Sequence, residues 1–216
     1  MKREYRKFAL IICFSVFVVL IILLGLKFLN QKKYCSARLQ RGIDVEEINA
    51  ESLDYFTIWE EKRDASFSNP MLDISCTGEC VYIVGEMDRL QKWKVIDGTL
   101  FLDDKGVIVT EALAHQLYHS VYVVGEKLQY EKKCYYIRGV VCGERSKLYI
   151  SAAFLNEALN GYECAESMES NKLKLTNISY TVDRKKCLFK KVPETLQFQL
   201  EKNGYPQIDM LLYSKK

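Results

Sequence analysis

The strongest pattern along the chain is an unbroken apolar run near its start, Phe8 to Leu26, nineteen residues without a charge. As a helix rising about 1.5 Å per residue it would span roughly 28 Å, close to the thickness of a bilayer's hydrocarbon core. A helix packed inside a globular core would show a polar face, and this run has none. A signal peptide is the rival reading, but its apolar stretch is usually about 7–15 residues and ends at a small-residue site. Here the run is longer and leads into Lys27-Phe28-Leu29-Asn30-Gln31-Lys32-Lys33, with no Ala-x-Ala pattern. The sequence therefore predicts an uncleaved transmembrane helix over residues 8–29, a cytoplasmic tail over 1–7, a linker over 30–44 and one domain over 45–216. Lys2, Arg3, Arg6 and Lys7 precede the span and Lys27, Lys32 and Lys33 follow it, so positive charge orients it only slightly. A tail that short cannot form a domain. The expected topology is single-pass in the cell membrane, with the N-terminus cytoplasmic and the C-terminal domain extracytoplasmic.

Beyond the linker, Asp44-Val45-Glu46-Glu47 has the form of a capping box, and Val45, Ile48, Phe56 and Trp59 recur at roughly helical spacing. This predicts a helix, broken near Ser52, that runs to about Arg63, followed by a turn over Ser66–Pro70. Strands are predicted at Leu72–Cys76 and Cys80–Val84, joined by Thr77-Gly78-Glu79, with a short helix within Glu86–Trp93. Thr99–Leu102 and Val107–Val109 read as strands on either side of the polar turn Asp103–Gly106. Thr110 caps a helix over Glu111–Tyr118, with Ala114 and Leu117 on its apolar face. Val121–Val124, Lys127–Tyr130, Cys134–Cys142 and Leu148–Ile150 read as strands, and Ala152–Leu159 as a short helix stopped by Asn160-Gly161. Lys172–Leu175 alternates like a half-buried strand. Pro193 and Gly204 bracket a helix over Glu194–Asn203, and Ile208–Tyr213 returns as a strand. Strands and short helices interleave throughout, so the class is α+β. No second apolar span and no fixed-period repeat follow Leu29.

Composition changes this picture little. At 49% hydrophobic and 27% charged residues the chain is not of the disordered class. Charge is more informative. Of 31 basic and 28 acidic residues, Lys2, Arg3, Arg6, Lys7, Lys27 and Glu4 belong to the first 29 positions, leaving 26 basic and 27 acidic, a net of −1. A nearly neutral body without a basic stripe argues against a nucleic-acid partner. The positive excess belongs to the membrane end, where the lipid bilayer is the expected partner.

The eight cysteines are Cys13 in the apolar run and Cys35, Cys76, Cys80, Cys134, Cys142, Cys164 and Cys187 beyond it. The seven outer thiols are an odd number, which leaves at least one unpaired within the chain. Cys76-Thr-Gly-Glu-Cys80 could close a turn as a disulfide, with a metal or redox pair as the alternative; Cys134 and Cys142 would share a face of one strand. The only histidines, His115 and His119, stand one helical turn apart, with Glu111 a turn earlier. They are either three metal ligands on one helical face or a solvated polar face. Tyr122, Tyr130, Tyr135, Tyr136 and Tyr149 are read as strand residues packing across a sheet rather than a ligand groove. The sequon Asn177-Ile178-Ser179 is taken as chance. The sequence holds no phosphate-binding loop, no Gly-x-Ser-x-Gly elbow and no His-Glu-x-x-His motif, so no catalytic, cofactor or metal site is assigned and no enzymatic activity is expected.

One series of motifs stands out. Val95-Ile-Asp-Gly-Thr-Leu-Phe101 is followed in order by Gly106-Val-Ile-Val-Thr-Glu-Ala-Leu-Ala-His-Gln-Leu-Tyr118, by Val124-Gly-Glu-Lys-Leu128, and by Tyr136-Ile-Arg-Gly-Val140. The series resembles the MacB-like periplasmic core domain of ABC-transporter permeases of the MacB/FtsX class. That family's Gly…Phe turn, strand-to-helix step, glycine turn and Ile-x-Gly-Val strand correspond to Gly98 with Phe101, to Val107–Val109 with Ala114 and Leu117, to Gly125 with Leu128, and to Ile137 with Gly139 and Val140. The match is best over 45–155. Such permeases carry four transmembrane helices with this domain after the first, and only that first helix has a counterpart here. The resemblance thus implies an extracytoplasmic domain that assists or regulates a transporter complex, with a permease and its ATP-binding subunits as partners. The alternative is an independent binding or scaffold module tethered to the cell envelope.

Overall fold

The computed structural model describes residues 14–25, 32–45, 48, 56–152, 173–183 and 210–215. Residues 14–25 form helix α1. Ten strands follow: β1 (Lys32–Asp44), β2 (Thr57–Asn69), β3 (Ile74–Val84), β4 (Val95–Gly98), β5 (Gly106–Thr110), β6 (Lys127–Tyr130), β7 (Lys133–Val141), β8 (Lys147–Ser151), β9 (Lys174–Asp183) and β10 (Met210–Lys215). Helix α2 (Glu111–Tyr118) lies between β5 and β6, and Met87–Arg89 form a single 3₁₀ turn. The class is mixed, as expected, but strands dominate.

The strands run in the order β10-β1-β9-β2-β3-β8-β5-β7-β4, while β6 pairs with both β2 and β7. That double pairing closes β2, β3, β8, β5, β7 and β6 into a ring, with β3–β8 and β5–β7 parallel and the other pairs antiparallel. Alternation along each strand sends one set of side chains inward. Phe67, Cys80, Tyr82, Val107, Val109, Leu128, Tyr135, Ile137, Leu148 and Ile150 share one buried cluster with Leu113, Ala114 and Leu117 of α2, so the helix and these side chains fill the ring. The odd residues Val81, Ile83 and Tyr149 point the other way, under Met87 and Trp93. Each large aliphatic buried here contributes roughly 1.5–3 kcal/mol, which is why β3, β5 and β8 are apolar on both faces.

Two bulges keep this inside-out register. In β2, Lys62 opposes Cys80 but Ala65 opposes Gly78, and the extra residue is taken up at Asp64, whose φ is 56°. In β7, Val107 opposes Ile137 and Ile108 opposes Gly139, which switches the inward set from Tyr135 and Ile137 to Val140.

Several expectations are corrected. Residues 30–44 are not a linker, since β1 is a full member of the sheet, bonded to β9 and β10. The helix expected to reach Arg63 gives way to β2, which has neighbours on both sides in β3 and β9. Leu72–Cys76 and Cys80–Val84 are not two strands around a turn but one, β3, with Gly78 in its middle; the turn lies at residues 70–73. A Cβ at Gly78 would overlap the Ser146 carbonyl and press on the Phe67 ring, so the glycine serves a close approach rather than a bend. Within Glu86–Trp93 only the 3₁₀ turn is helical. The strand near Thr99 lies earlier, at β4, and Val121–Val124 is irregular. By contrast, α2 has the expected bounds, and β5, β6, β7, β8, β9 and β10 each overlap an expected strand. The helices expected at Ala152–Leu159 and Glu194–Asn203, and residues 1–7, lie largely or wholly outside the described residues.

Only part of the apolar run, residues 14–25, is described. It is helical and its large side chains are exposed, Phe14 and Leu24 among them. Among the described residues no helix is long and apolar enough to cross a membrane.

Candidate functional site

The motif residues converge on β7. Gly98 has a φ of 72° and lies opposite Gly139, and each is too crowded for a side chain: a Cβ on Gly98 would overlap the Arg138 carbonyl, and one on Gly139 the Thr99 carbonyl. The Thr99 amide donates to that Arg138 carbonyl at 3.0 Å. On the same edge of β7, Gly125 (φ 91°) donates its amide to the Ile137 carbonyl at 2.8 Å, and the Ile137 amide donates to Glu126. Val107, Val109, Ala114, Leu117, Leu128, Ile137 and Val140 are all buried. Thr110 caps α2 by accepting from the Leu113 amide, and its hydroxyl also donates to the Arg145 carbonyl at 2.7 Å and accepts from the Lys147 amide at 2.9 Å. The series is a scaffold that locks α2, β4 and the 120–126 segment around one strand.

Phe101 departs from that pattern. It is 65% exposed, and Tyr122, between the second and third motif segments, is 78% exposed. Both belong to segments anchored on β7, as does Val124, which lies against Gly98. On the exposed face of β7 the Tyr136 ring carries Lys127 and Arg138 at 5.9 and 6.0 Å from its centroid, and Arg138 forms an ion pair with Asp103 at 3.0 Å.

The candidate chemical groups do not assemble. His119 is the C-cap of α2 with a left-handed φ of 56°, so it leaves the helical face that Glu111 and His115 occupy. Among the described residues no group of three or more His, Cys, Asp or Glu side chains could hold a metal ion. Cys76, Cys80, Cys134 and Cys142 are free thiols. Cys76 and Cys80 lie four residues apart on one extended strand, about 13 Å, too far for a disulfide. Burial pushes their thiols up, Cys76 to about 11 and Cys80 to about 12, so neither is a ready nucleophile or ligand. Cys134 and Cys142 are both exposed. Of the tyrosines, Tyr130, Tyr135 and Tyr149 pack inside the sheet while Tyr122 and Tyr136 do not. Asn177 of the sequon lies mid-strand in β9, opposite Arg38 and Trp59, and Ser179 accepts from the Trp59 indole at 2.9 Å. A glycan has no loop to occupy there.

Two polar groupings were not legible in the sequence. On the outer face Lys147 bridges Glu61 (2.8 Å) and Glu79 (2.5 Å) across β8, β3 and β2. Inside the ring the Tyr82 and Tyr130 hydroxyls share a hydrogen bond of 2.7 Å beside the Cys80 thiol, and Tyr130 donates to Glu131 at 3.0 Å. Each depends on strand register, which no local pattern encodes.

Comparison with solved structures shows what this arrangement is similar to. The periplasmic region of MacB from Actinobacillus actinomycetemcomitans matches with a TM-score of 0.58 at 11% identity, covering 84% of this chain and 89% of that one. The extracellular domain of YknZ, a noncanonic ABC-type transporter from Gram-positive bacteria, matches at 0.50 and 14% identity over 78% and 88%. A domain of a protein described as a permease, from Porphyromonas gingivalis, matches at 0.50 and 12% identity over 87% and 91%. No protein-family model matches the chain, and no curated protein does. The chain thus has the fold of MacB-like periplasmic and extracellular domains, reached with little sequence in common.

Proposed function

We propose that this protein is a non-enzymatic, membrane-anchored extracytoplasmic domain that assists or regulates an ABC-type transporter complex. The observation that carries the reading is the fold match to the MacB periplasmic region, which extends over most of both chains. Its neighbours are outer domains of transporters, described as periplasmic or extracellular. The uncharged run Phe8–Leu26 supplies the anchor, with the basic residues of 1–7 in the cytoplasm. β1 pairs with β9 and β9 with β2, so displacement of β1 is passed into the sheet through paired backbone. The partners are a multi-span permease and its ATP-binding subunits, because this sequence carries no nucleotide-binding loop of its own. The exposed aromatic residues Phe101, Tyr122 and Tyr136 are the candidate contact residues.

Affinity purification of the full chain from membranes in mild detergent tests this. Co-purification of a permease and an ATP-binding subunit is expected, and Phe101→Asp with Tyr122→Asp should reduce their recovery severalfold while the protein stays folded. Recovery of the protein without any transporter component would count against the reading and favour an independent envelope module.

A further inference from the structure

The ring of strands is unevenly fastened. β2 is held to β3 along almost its full length, but to β6 only where Phe67 faces Tyr130 and Ser68 faces Gln129. Backbone strain gathers at the same place. The β6–β7 hairpin turns through Glu131 and Lys132, with φ of 48° and 63°, in the geometry that Asn-Gly normally supplies. Asp64, at the bulge in β2, is the third residue with a left-handed φ beside this junction. Outside, the junction is clasped by the ion pair of Lys62 and Glu131 at 2.6 Å, whose side chains are 54% and 49% exposed, so solvent screens it and it holds weakly. Inside, Tyr130 attaches β6 at one end, while at the other the Tyr118 hydroxyl of α2 donates to the Lys127 carbonyl at 2.7 Å and Asn69 at the end of β2 donates to the Leu117 carbonyl at 3.1 Å. The Tyr130 ring lies 5.4 Å from that of Phe67, and its hydroxyl meets Tyr82 and Glu131. Behind it stands the wholly buried Cys80.

We propose that the ring is built to open at the junction of β2 and β6, with β6 and the tip of its hairpin forming a flap over the interior that holds Cys80. Closed, the flap keeps the thiol protonated and out of reach. Open, it bares Cys80, Tyr82 and Tyr135 without unravelling β3, β5, β7 or β8, because those strands remain fully paired to one another. The motion belongs to this fold alone and does not depend on a transporter partner.

The test is thiol labelling of the full chain in mild detergent under reducing conditions, with N-ethylmaleimide and peptide mass mapping, alongside amide hydrogen exchange. Cys134 is exposed and serves as the internal standard. Cys80 is expected to label more slowly than Cys134, through an opening whose urea dependence is much shallower than that of global unfolding. Amides of β6 should exchange through the same shallow opening, and those of β5 only through the global one. Tyr130→Phe should speed Cys80 labelling about fivefold and Glu131→Gln about twofold. Ile108→Ala, in the separate cluster on the other face of β5, should lower global stability and leave the rate at low urea unchanged. If Cys80 labelling and β6 exchange share the steep urea dependence of β5, the ring opens only by unfolding and the proposal fails.

Discussion

Gly98 and Gly125 both have positive φ, 72° and 91°, yet their surroundings differ. Gly98 is pressed against the Arg138 carbonyl and Val124, whereas nothing lies within 4 Å of a Cβ placed on Gly125. Gly125→Ala should therefore cost about 1 kcal/mol from backbone conformation alone. Gly98→Ala adds steric overlap and should cost about 2–3 kcal/mol; urea denaturation of the two variants would show the ranking. Burial of titratable groups gives a second expectation. Cys80 is raised from 9.0 to about 12, Cys76 to about 11 and Tyr135 from 10.0 to about 12, and burial likewise raises Tyr82, Tyr130 and Tyr149. The unfolded chain then loses these protons at lower pH than the folded one. Stability is full below about pH 9 and falls as pH rises toward 12. The midpoint urea concentration should decline over that window, and less steeply in Cys80→Ala. At this scale the sequence was readable where a residue's role is local, as with Thr110 capping α2. It was not readable for Cys76 and Cys80, whose spacing resembles a turn only if Gly78 bends the chain, and Gly78 instead admits Ser146 and Phe67.

Among the elements, α2 is the best determined by its own residues. Its cap, its apolar stripe of Leu113, Ala114 and Leu117, and its end at His119 all lie within ten positions. Thr110→Ala should cost about 2 kcal/mol, more than an ordinary cap, because the same hydroxyl also bonds the Arg145 carbonyl and the Lys147 amide. Thermal unfolding of Thr110→Ala against Thr110→Ser would separate the loss of the hydroxyl from the loss of the methyl. β2 shows the opposite case. Trp59, Glu60, Glu61, Lys62 and Arg63 carry a charged run with helical spacing upstream, yet Glu60 accepts from Thr176 on β9 and Glu61 pairs with Lys147 on β8. Partners more than eighty positions away turn these charges into strand cross-links, and tertiary context overrides the local preference. The same holds for β1, whose residues read as a linker until β9 and β10 flank them.

For the molecule as a whole, the motif order around β7 was enough to indicate the fold, and the fold match bears this out at 11% identity. That is reasonable physically, since crowded glycines and buried aliphatics fix packing while tolerating change elsewhere. The ring closure and the placement of β1 were not legible, because both are pairings between distant segments. The proposed function requires that this domain lie outside the cytoplasm on a membrane stem. Cys134 tests it directly, being exposed on β7. Intact cells are treated with a mild reductant and a membrane-impermeant maleimide, using Cys134→Ser to identify the labelled site. Labelling of Cys134 without permeabilisation, on protein that sediments with membranes, is the predicted result. Labelling only after the cells are opened, or protein recovered in the soluble fraction, would contradict the account.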